Sequence, residues 1–341
     1  MQSHPSADWD AFVAARTDAS VYLRSGWAQL AQDVFGHRAF FIEARDAGGT
    51  LRAVLPLIQQ KSLLLGNFAT SLPFFNYGGV VCDDDTLARL VMERARDLAI
   101  ELGCAYLEFR DVQARSGDWI VRSDKVTMLL ELPETFAALS QKLGSKLRSQ
   151  VKRAERENPA VRSGGVELVD DFYLVFAENM RDLGTPVYPK QFFRTLLERF
   201  TAECAVVVIY CEGQPAAAAL LVICGQRAEI PWAACRSSAK PRGMNMKLYW
   251  EVLSLVVGRG CRVFDFGRST VDAGTYQFKK QWGAMPVPLH WHRWERRPAP
   301  DGSAAPQTQG TLMRCASALW QRLPLGVANA LGPRISPNLP W

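Results

Sequence analysis

The sequence predicts a mixed α/β protein made of two copies of one unit, and two observations carry that prediction. First, the chain has 341 residues, 48% hydrophobic and 22% charged. That is too long for one average domain and apolar enough to bury two cores, which excludes a disordered tail. Second, Gly103–Arg110 (GCAYLEFR) and Gly260–Gly267 (GCRVFDFG) align at an offset of 157 residues. Each stretch follows an apolar-periodic helix, Thr86–Leu102 or Met244–Arg259, that ends at glycine as a helix C-terminus should. Each continues as a short alternating strand.

The upstream elements repeat in the same order. In the first half, helical segments at Ala7–Arg16 and Gly26–Phe35 precede apolar runs at Arg38–Arg45, Leu51–Gln59 and Tyr77–Cys82. In the second, helical segments at Asp170–Leu183 and Pro189–Phe200 precede strands at Cys204–Cys211, Ala216–Cys224 and Arg227–Ala234. Turns such as Ala47–Gly49 and Glu212–Gln214 join strands as hairpins. A late strand closes each half, Lys125–Leu132 in the first and Pro286–Trp294 in the second. The expected division is 1–133, 134–297 and a tail at 298–341.

The second half begins with a helix over Glu134–Asn158, broken only by Gly144, with basic residues Lys142, Lys146, Arg148, Lys152, Arg153 and Arg156. Such a run reads either as a solvated helix face or as a phosphate-contacting patch. The tail opens with a flexible linker, Pro298–Thr311, and continues as an amphipathic helix carrying Leu312, Met313, Ala316, Leu319, Trp320 and Leu323, stopped by Pro324. That helix either docks on its own domain or makes peripheral membrane contact through 312–323.

Composition narrows the function classes. The eight cysteines are scattered without a CxxC pair, so they read as small reduced core residues of a cytoplasmic protein, a disulfide framework being unexpected. Four histidines, with His290 and His292 close together, make no zinc pattern. Met1–Asp10 shows no signal peptide, and no apolar run is long enough to span a bilayer. The formal charge of +6 permits an anionic partner without specifying one.

The element order matches the GNAT acyltransferase fold, whose splayed central strands hold an acyl donor. The segment FDFGRST…GTYQFKKQWGAMPVPLHW (Phe264–Trp291) further resembles the C-terminal signature of FemAB-like proteins, including the peptidoglycan-bridge aminoacyltransferases and BioF2-like acetyltransferase domains. Within that group the chain looks most like the FemAB-related proteins that accompany exosortase/PEP-CTERM and exopolysaccharide gene sets. Supporting segments are Ser71–Val81, Lys146–Arg156, Gly184–Phe193 and Met246–Val252.

The resemblance implies tandem GNAT-like domains and acyl transfer onto an amine or hydroxyl of a sugar- or lipid-linked anionic acceptor in exopolysaccharide or cell-envelope biosynthesis. The implied donor is acyl-CoA or aminoacyl-tRNA, unresolved between them. The sequence departs from the bridge enzymes in lacking a long helical-hairpin insertion that some of them use around tRNA.

Acyl transfer needs oxyanion support, a nucleophile and a place for phosphates. The expected catalytic residues are Lys279, which the resemblance places near the reaction centre, with Asp265 and Arg268. An acid inside an apolar strand needs a partner, so Asp265 and Arg268 form either a functional pair or a structural one. Expected substrate contacts are Ser269, Tyr276, Lys280, Trp282, Asn76, Tyr77, Tyr188, Lys146 and Arg148. Gly78 and Gly79 allow close backbone approach. A degenerate phosphate loop, Arg236, Arg242, Gly243 and Asn245, precedes the long helix of the second half, where a helix N-terminus favours anions. Two other readings stay open: a non-catalytic GNAT-like protein that binds a glycolipid or biosynthetic partner, and an acyl-CoA N-acetyltransferase acting on a soluble metabolite.

Overall fold

The computed structural model of the chain describes residues 3–62, 66–297 and 311–339. The Pro298–Thr311 linker lies almost wholly outside the described residues, as do the side chains of Leu312 and Met313. The chain divides into two compact units. The first comprises 1–125, 288–308 and 338–341, and the second comprises 126–287 and 309–337.

In the first unit, helices α1 (Trp9–Ala14) and α2 (Ser25–Phe35) lead into β1 (Arg38–Arg45), β2 (Leu51–Ser62), β3 (Gly66–Thr70) and β4 (Val81–Cys82). Helix α3 (Asp85–Glu101) follows, then β5 (Tyr106–Asp111) and β6 (Ile120–Arg122). Asp84 caps α3 by accepting from the Leu87 N–H at 2.8 Å. Its buried stripe, Ala88, Val91, Met92, Ala95, Leu98 and Ala99, packs on Ala53, Leu55, Leu57 and Leu107 of the sheet.

The second unit begins with β7 (Lys125–Glu131), then α4 (Phe136–Lys142), α5 (Ser145–Glu155), β8 (Ala160–Gly164), α6 (Val169–Asp182) and α7 (Lys190–Arg199). Strands β9 (Cys204–Cys211), β10 (Gln214–Cys224) and β11 (Arg227–Cys235) precede α8 (Met244–Gly258), β12 (Val263–Thr270), α9 (Gly274–Lys280) and β13 (Met285–Pro288). The sheet order is β13-β7-β12-β11-β10-β9-β8. Strand β10 and helix α8 form the centre of its core, with Val252, Leu253 and Val256 fully buried.

The last strand, β14 (His290–Glu295), returns to the first sheet, whose order is β1-β2-β3-β5-β14-β6, with β4 beside β2. The two late strands are therefore exchanged relative to the sequence expectation. Lys125–Glu131 lies beside β12 in the second sheet, and β14 pairs with β5 through Arg293↔Glu108 and its neighbours in the first. Periodicity within a strand says nothing of which sheet it joins. Helices α10 (Thr311–Gln321) and α11 (Leu325–Ile335) end the described chain, the second of them unanticipated.

The repeat is visible in backbone detail. Gly103 (φ +73°) and Gly260 (φ +80°) end α3 and α8 in the left-handed region, which glycine enters without a Cβ penalty. The next residue closes each helix alike: Cys104 N–H reaches Ala99 O at 2.8 Å, and Cys261 N–H reaches Val256 O at 3.0 Å. Both following strands then pair in parallel over a very short stretch. β3 meets β5 only at Ala69↔Leu107 and Thr70↔Glu108, and β11 meets β12 only from Arg227↔Val263 to Glu229↔Asp265. The chain thus has two GNAT-like mixed α/β units in tandem, each with a splayed parallel pair.

Candidate active site

In the second unit the splay begins at Glu229 and Asp265, both buried. Beyond them β11 and β12 have no registered partners in each other, although both continue, to Cys235 and Thr270. Gly267 sits at φ +75°, a kink within β12. Lys279 of α9 reaches this kink. Its Nζ donates to Gly267 O at 2.9 Å and to Arg268 O at 2.8 Å.

Lys279 is only 7% exposed. Burial pulls its ammonium down to about 8, although Asp265 and Glu229 oppose this by favouring the charged form; Arg268 reinforces the fall. An ammonium has three donors, and the two carbonyls use two of them. Asp265 is held rigidly: its Oδ1 accepts from the Thr127 hydroxyl at 2.5 Å and from the Gly267 N–H at 2.8 Å. The Lys279 ammonium, anchored on two backbone carbonyls where the sheet opens, is the group there able to support developing negative charge through its remaining donor.

The other expected residues distribute as follows. Arg268 is half-buried on β12, and its backbone carbonyl is one of the two that Lys279 holds. Ser269 is buried on β12, and its Oγ has no hydrogen-bond partner among the described residues. Tyr276 is buried, with the exposed Lys280 ammonium 5.8 Å from its ring centroid. Trp282 is fully buried in the core, near Tyr249 and Phe278, and this core position replaces the expected substrate contact. Tyr188 is likewise buried among Phe192 and Phe193, its carbonyl accepting from the Tyr173 hydroxyl at 2.9 Å.

The basic helix splits at Gly144 into α4 and α5. Arg148 turns back to the α4 C-terminus, its guanidinium donating to Ser140, Gln141 and Leu143 carbonyls, so it caps a helix rather than facing a phosphate. Lys146 is exposed.

The expected phosphate loop does not form an open cradle. The N–H groups of Ala239, Lys240, Arg242, Gly243, Met244, Met246 and Lys247 all donate to carbonyls between Arg236 and Gly243, and Pro241 has none to offer. Arg236 pairs with Glu178 at 3.0 Å, and Arg242 with Glu157 and Glu212. Helix α5 covers the site: Arg153 donates to Pro241 O at 2.7 Å, and a Cβ on Gly243 would sit 3.1 Å from that of Ala154. Asn245 lies in the first turn of α8, half-buried. Of the amides before α8, those of Ser237 and Ser238 are the ones left without a backbone partner among the described residues, and the expected basic side chains Arg236 and Arg242 are engaged by glutamates.

In the first unit the splay is closed by the chain itself. After β3, Ser71 N–H reaches Glu108 O at 2.9 Å, Ser71 Oγ accepts from the Arg110 N–H at 3.1 Å, and Gly78 N–H reaches Arg110 O at 3.0 Å. Arg110 adds a bond to Phe75 O at 2.8 Å and stacks on Trp291, its guanidinium carbon 4.5 Å from the ring centroid. Beside this seam lies a pocket lined by Asp18, Tyr77, Gly78, Gly79, Asp111 and Arg115, among others. A Cβ on Gly79 would fall 1.9 Å from Asp111 Oδ1, so only glycine permits this approach. Asp111 is buried, and its Oδ2 has no hydrogen-bond partner among the described residues. Buried His292 lies behind it: Nε2 accepts from the Arg115 N–H at 2.9 Å, leaving Nδ1 to face Asp111 Oδ2 at 3.7 Å. Asn76, half-buried, is in the same segment as Tyr77.

Sequence reasoning missed Thr127, Glu229, Asp111 and His292. Glu229 carries the same signal that picked out Asp265, an acid inside an apolar strand. Thr127 and His292 carry none, because each lies on an exchanged strand.

The geometry defines a tandem GNAT-fold protein with a lysine-capped splay in its second unit. Comparison with known proteins agrees. The model of the acetyltransferase (GNAT) domain matches residues 142–280. No curated protein matches the sequence. Among solved structures, the chain is similar to FemX (TM-score 0.64, 13% identity, 84% of this chain and 96% of that one). It is also similar to L-PGS from Bacillus licheniformis (TM-score 0.56, 12% identity, 94% and 99%). A tandem GNAT protein from the clavulanic acid biosynthesis pathway matches at TM-score 0.53 and 10% identity, covering 86% and 94%. At these identities the likeness is one of fold: a GNAT-type, FemAB-like architecture.

Proposed function

We propose that this protein is an acyl- or aminoacyltransferase whose chemistry occurs in the second unit. The observation that carries the reading is Lys279, buried at the opening of the β11/β12 splay with its ammonium on the Gly267 and Arg268 carbonyls. The acceptor's amine or hydroxyl attacks the acyl carbon, its lone pair forming the new bond. The carbonyl electron pair moves to oxygen, where the Lys279 ammonium stabilises it. Collapse expels the donor's thiolate or ribose alkoxide, which takes up the proton released by the attacking group. Asp265 positions the strand by holding the Gly267 N–H.

Of the two donor classes, an aminoacyl ester suits this site better, because most amides of the loop before α8 already donate to the loop's own carbonyls, leaving only those of Ser237 and Ser238, among the described residues, for a pyrophosphate. In this reading the acceptor is sugar- or lipid-linked, as in cell-envelope or exopolysaccharide assembly. Within the first unit, Asp111 Oδ2 in its pocket can accept from a ligand hydroxyl or ammonium.

Native mass spectrometry against acyl-CoA, aminoacyl-tRNA and UDP-sugar pools identifies the ligands, and mass shift of the acceptor reports transfer. A folded Lys279→Ala variant that transfers at the full rate would refute the assignment. Ligand capture without turnover in any combination would replace it with the non-catalytic reading.

A further inference from the structure

A surface helix normally turns apolar residues inward and polar ones outward. Helices α10 and α11 do not follow this pattern. Their inner sides are held on the second unit: Ser317 Oγ donates to Gly184 O at 3.1 Å, Arg181 donates to Leu323 O at 3.1 Å, and Gly332 packs against the Val187 backbone. With those contacts made, the outward residues remain apolar. On α10, Cys315, Ala318 and Leu319 are exposed between Arg314 and Arg322, with Leu319 at 66%. On α11, Val327, Ala330 and Leu331 are exposed, with Arg334 at the end. Leu183, next to the Gly184 that receives Ser317, is 57% exposed.

We propose that the outer faces of α10 and α11 dock this protein on an anionic bilayer surface. Charge selects this occupant over a second copy of the chain. From Gly302 to Trp341 the sequence contains three arginines and no Asp, Glu or Lys. A two-fold self-contact through this face would bring arginine against arginine with no acid in the segment to pair. Anionic headgroups supply the missing negative charge, and the small apolar residues between the arginines suit the headgroup–acyl boundary. No described helix is long and apolar enough to cross a membrane, so the contact is peripheral. It is independent of the transfer chemistry.

Cys315 provides the probe, since it is exposed while the other seven cysteines are buried or half-buried. The full chain, labelled there with an environment-sensitive fluorophore, is floated with vesicles of phosphatidylcholine alone or with an equal part of phosphatidylglycerol. The expected result is flotation and a blue shift with the anionic vesicles only, weakened by salt. The Leu319→Glu/Leu331→Glu variant should lose about tenfold in bound fraction. Both side chains are exposed, so its thermal midpoint should match the parent. Arg314→Gln/Arg322→Gln should abolish the lipid preference. A folded parent chain that stays soluble with both vesicles overturns the proposal. So does a dimer in sedimentation velocity that the Leu319→Glu/Leu331→Glu variant dissolves.

Discussion

The two splayed strand pairs are the same device put to different ends. Glu108 and Asp265 occupy equivalent positions at the branch points, and both are buried. In the first unit the opening is filled by the chain's own Ser71–Gly79 segment, hydrogen-bonded along β5 and held by Arg110. That filling includes strain, since Phe74 sits at φ +77°, where a side chain is unfavourable, and is held by packing on Phe35. In the second unit the equivalent of Arg110 is Gly267, the strand kinks, and a lysine side chain takes the place of a backbone plug. A backbone seam makes structure. A buried ammonium that keeps one donor beyond its two carbonyls has capacity for reactive charge, which is why the proposed chemistry belongs to the second unit.

The comparison can be broken most directly at the lysine. Lys279→Ala should lower transfer by about 100- to 1000-fold, the range for removing a preorganised oxyanion donor, with circular dichroism showing a folded chain. Equal activity would mean that the second opening is as inert as the first.

A pH profile tests the same cation. Because the ammonium titrates near 8, transfer should be sustained below that pH and fall above it. The alkaline limb should disappear in Lys279→Arg, whose charge does not titrate. Stability should move the other way. The group's folded value lies below its ordinary 10.5, so between about 8 and 10.5 the unfolded chain binds more protons and stability rises with pH. Below 8 this contribution is flat. Urea titrations of the parent and Lys279→Met across that window should differ in slope.

The exchanged strand is next. Thr127→Val removes a buried hydrogen bond to the Asp265 carboxylate, and should cost about 1.5–3 kcal/mol in urea denaturation together with part of the transfer rate. In the first unit, Ser71→Ala removes the acceptor for the Arg110 N–H and should cost about 1 kcal/mol while leaving the rate per folded molecule unchanged. The smallest effect is expected at Arg242→Gln. Its guanidinium is already held by Glu157 and Glu212, so donor affinity measured by calorimetry should stay within about twofold.

Much of this was legible in the chain. The glycine-ended helices, the strands after them and the tandem arrangement follow from periodicity and from the GCAYLEFR and GCRVFDFG repeat. Asp265 stood out as an acid in an apolar strand, and its burial beside Lys279 agrees with that signal. Arg148 and Arg242 looked equally available for phosphate, because a sequence shows a cation without showing what it already holds. Arg148 serves the α4 carbonyls, and Arg242 two glutamates.

What the sequence alone determined was local: which segments are helix or strand, where each helix stops, and that one unit occurs twice. These depend on side-chain periodicity and glycine conformational freedom, both properties of neighbouring residues. Only the tertiary structure decided the exchange of β7 and β14, which brings Thr127 to Asp265 and His292 to Asp111 across 138 and 181 positions of chain. Only it decided that one opening is sewn shut and the other capped by lysine. Strand choice and burial depend on contacts between distant residues, and a local pattern leaves those contacts unspecified.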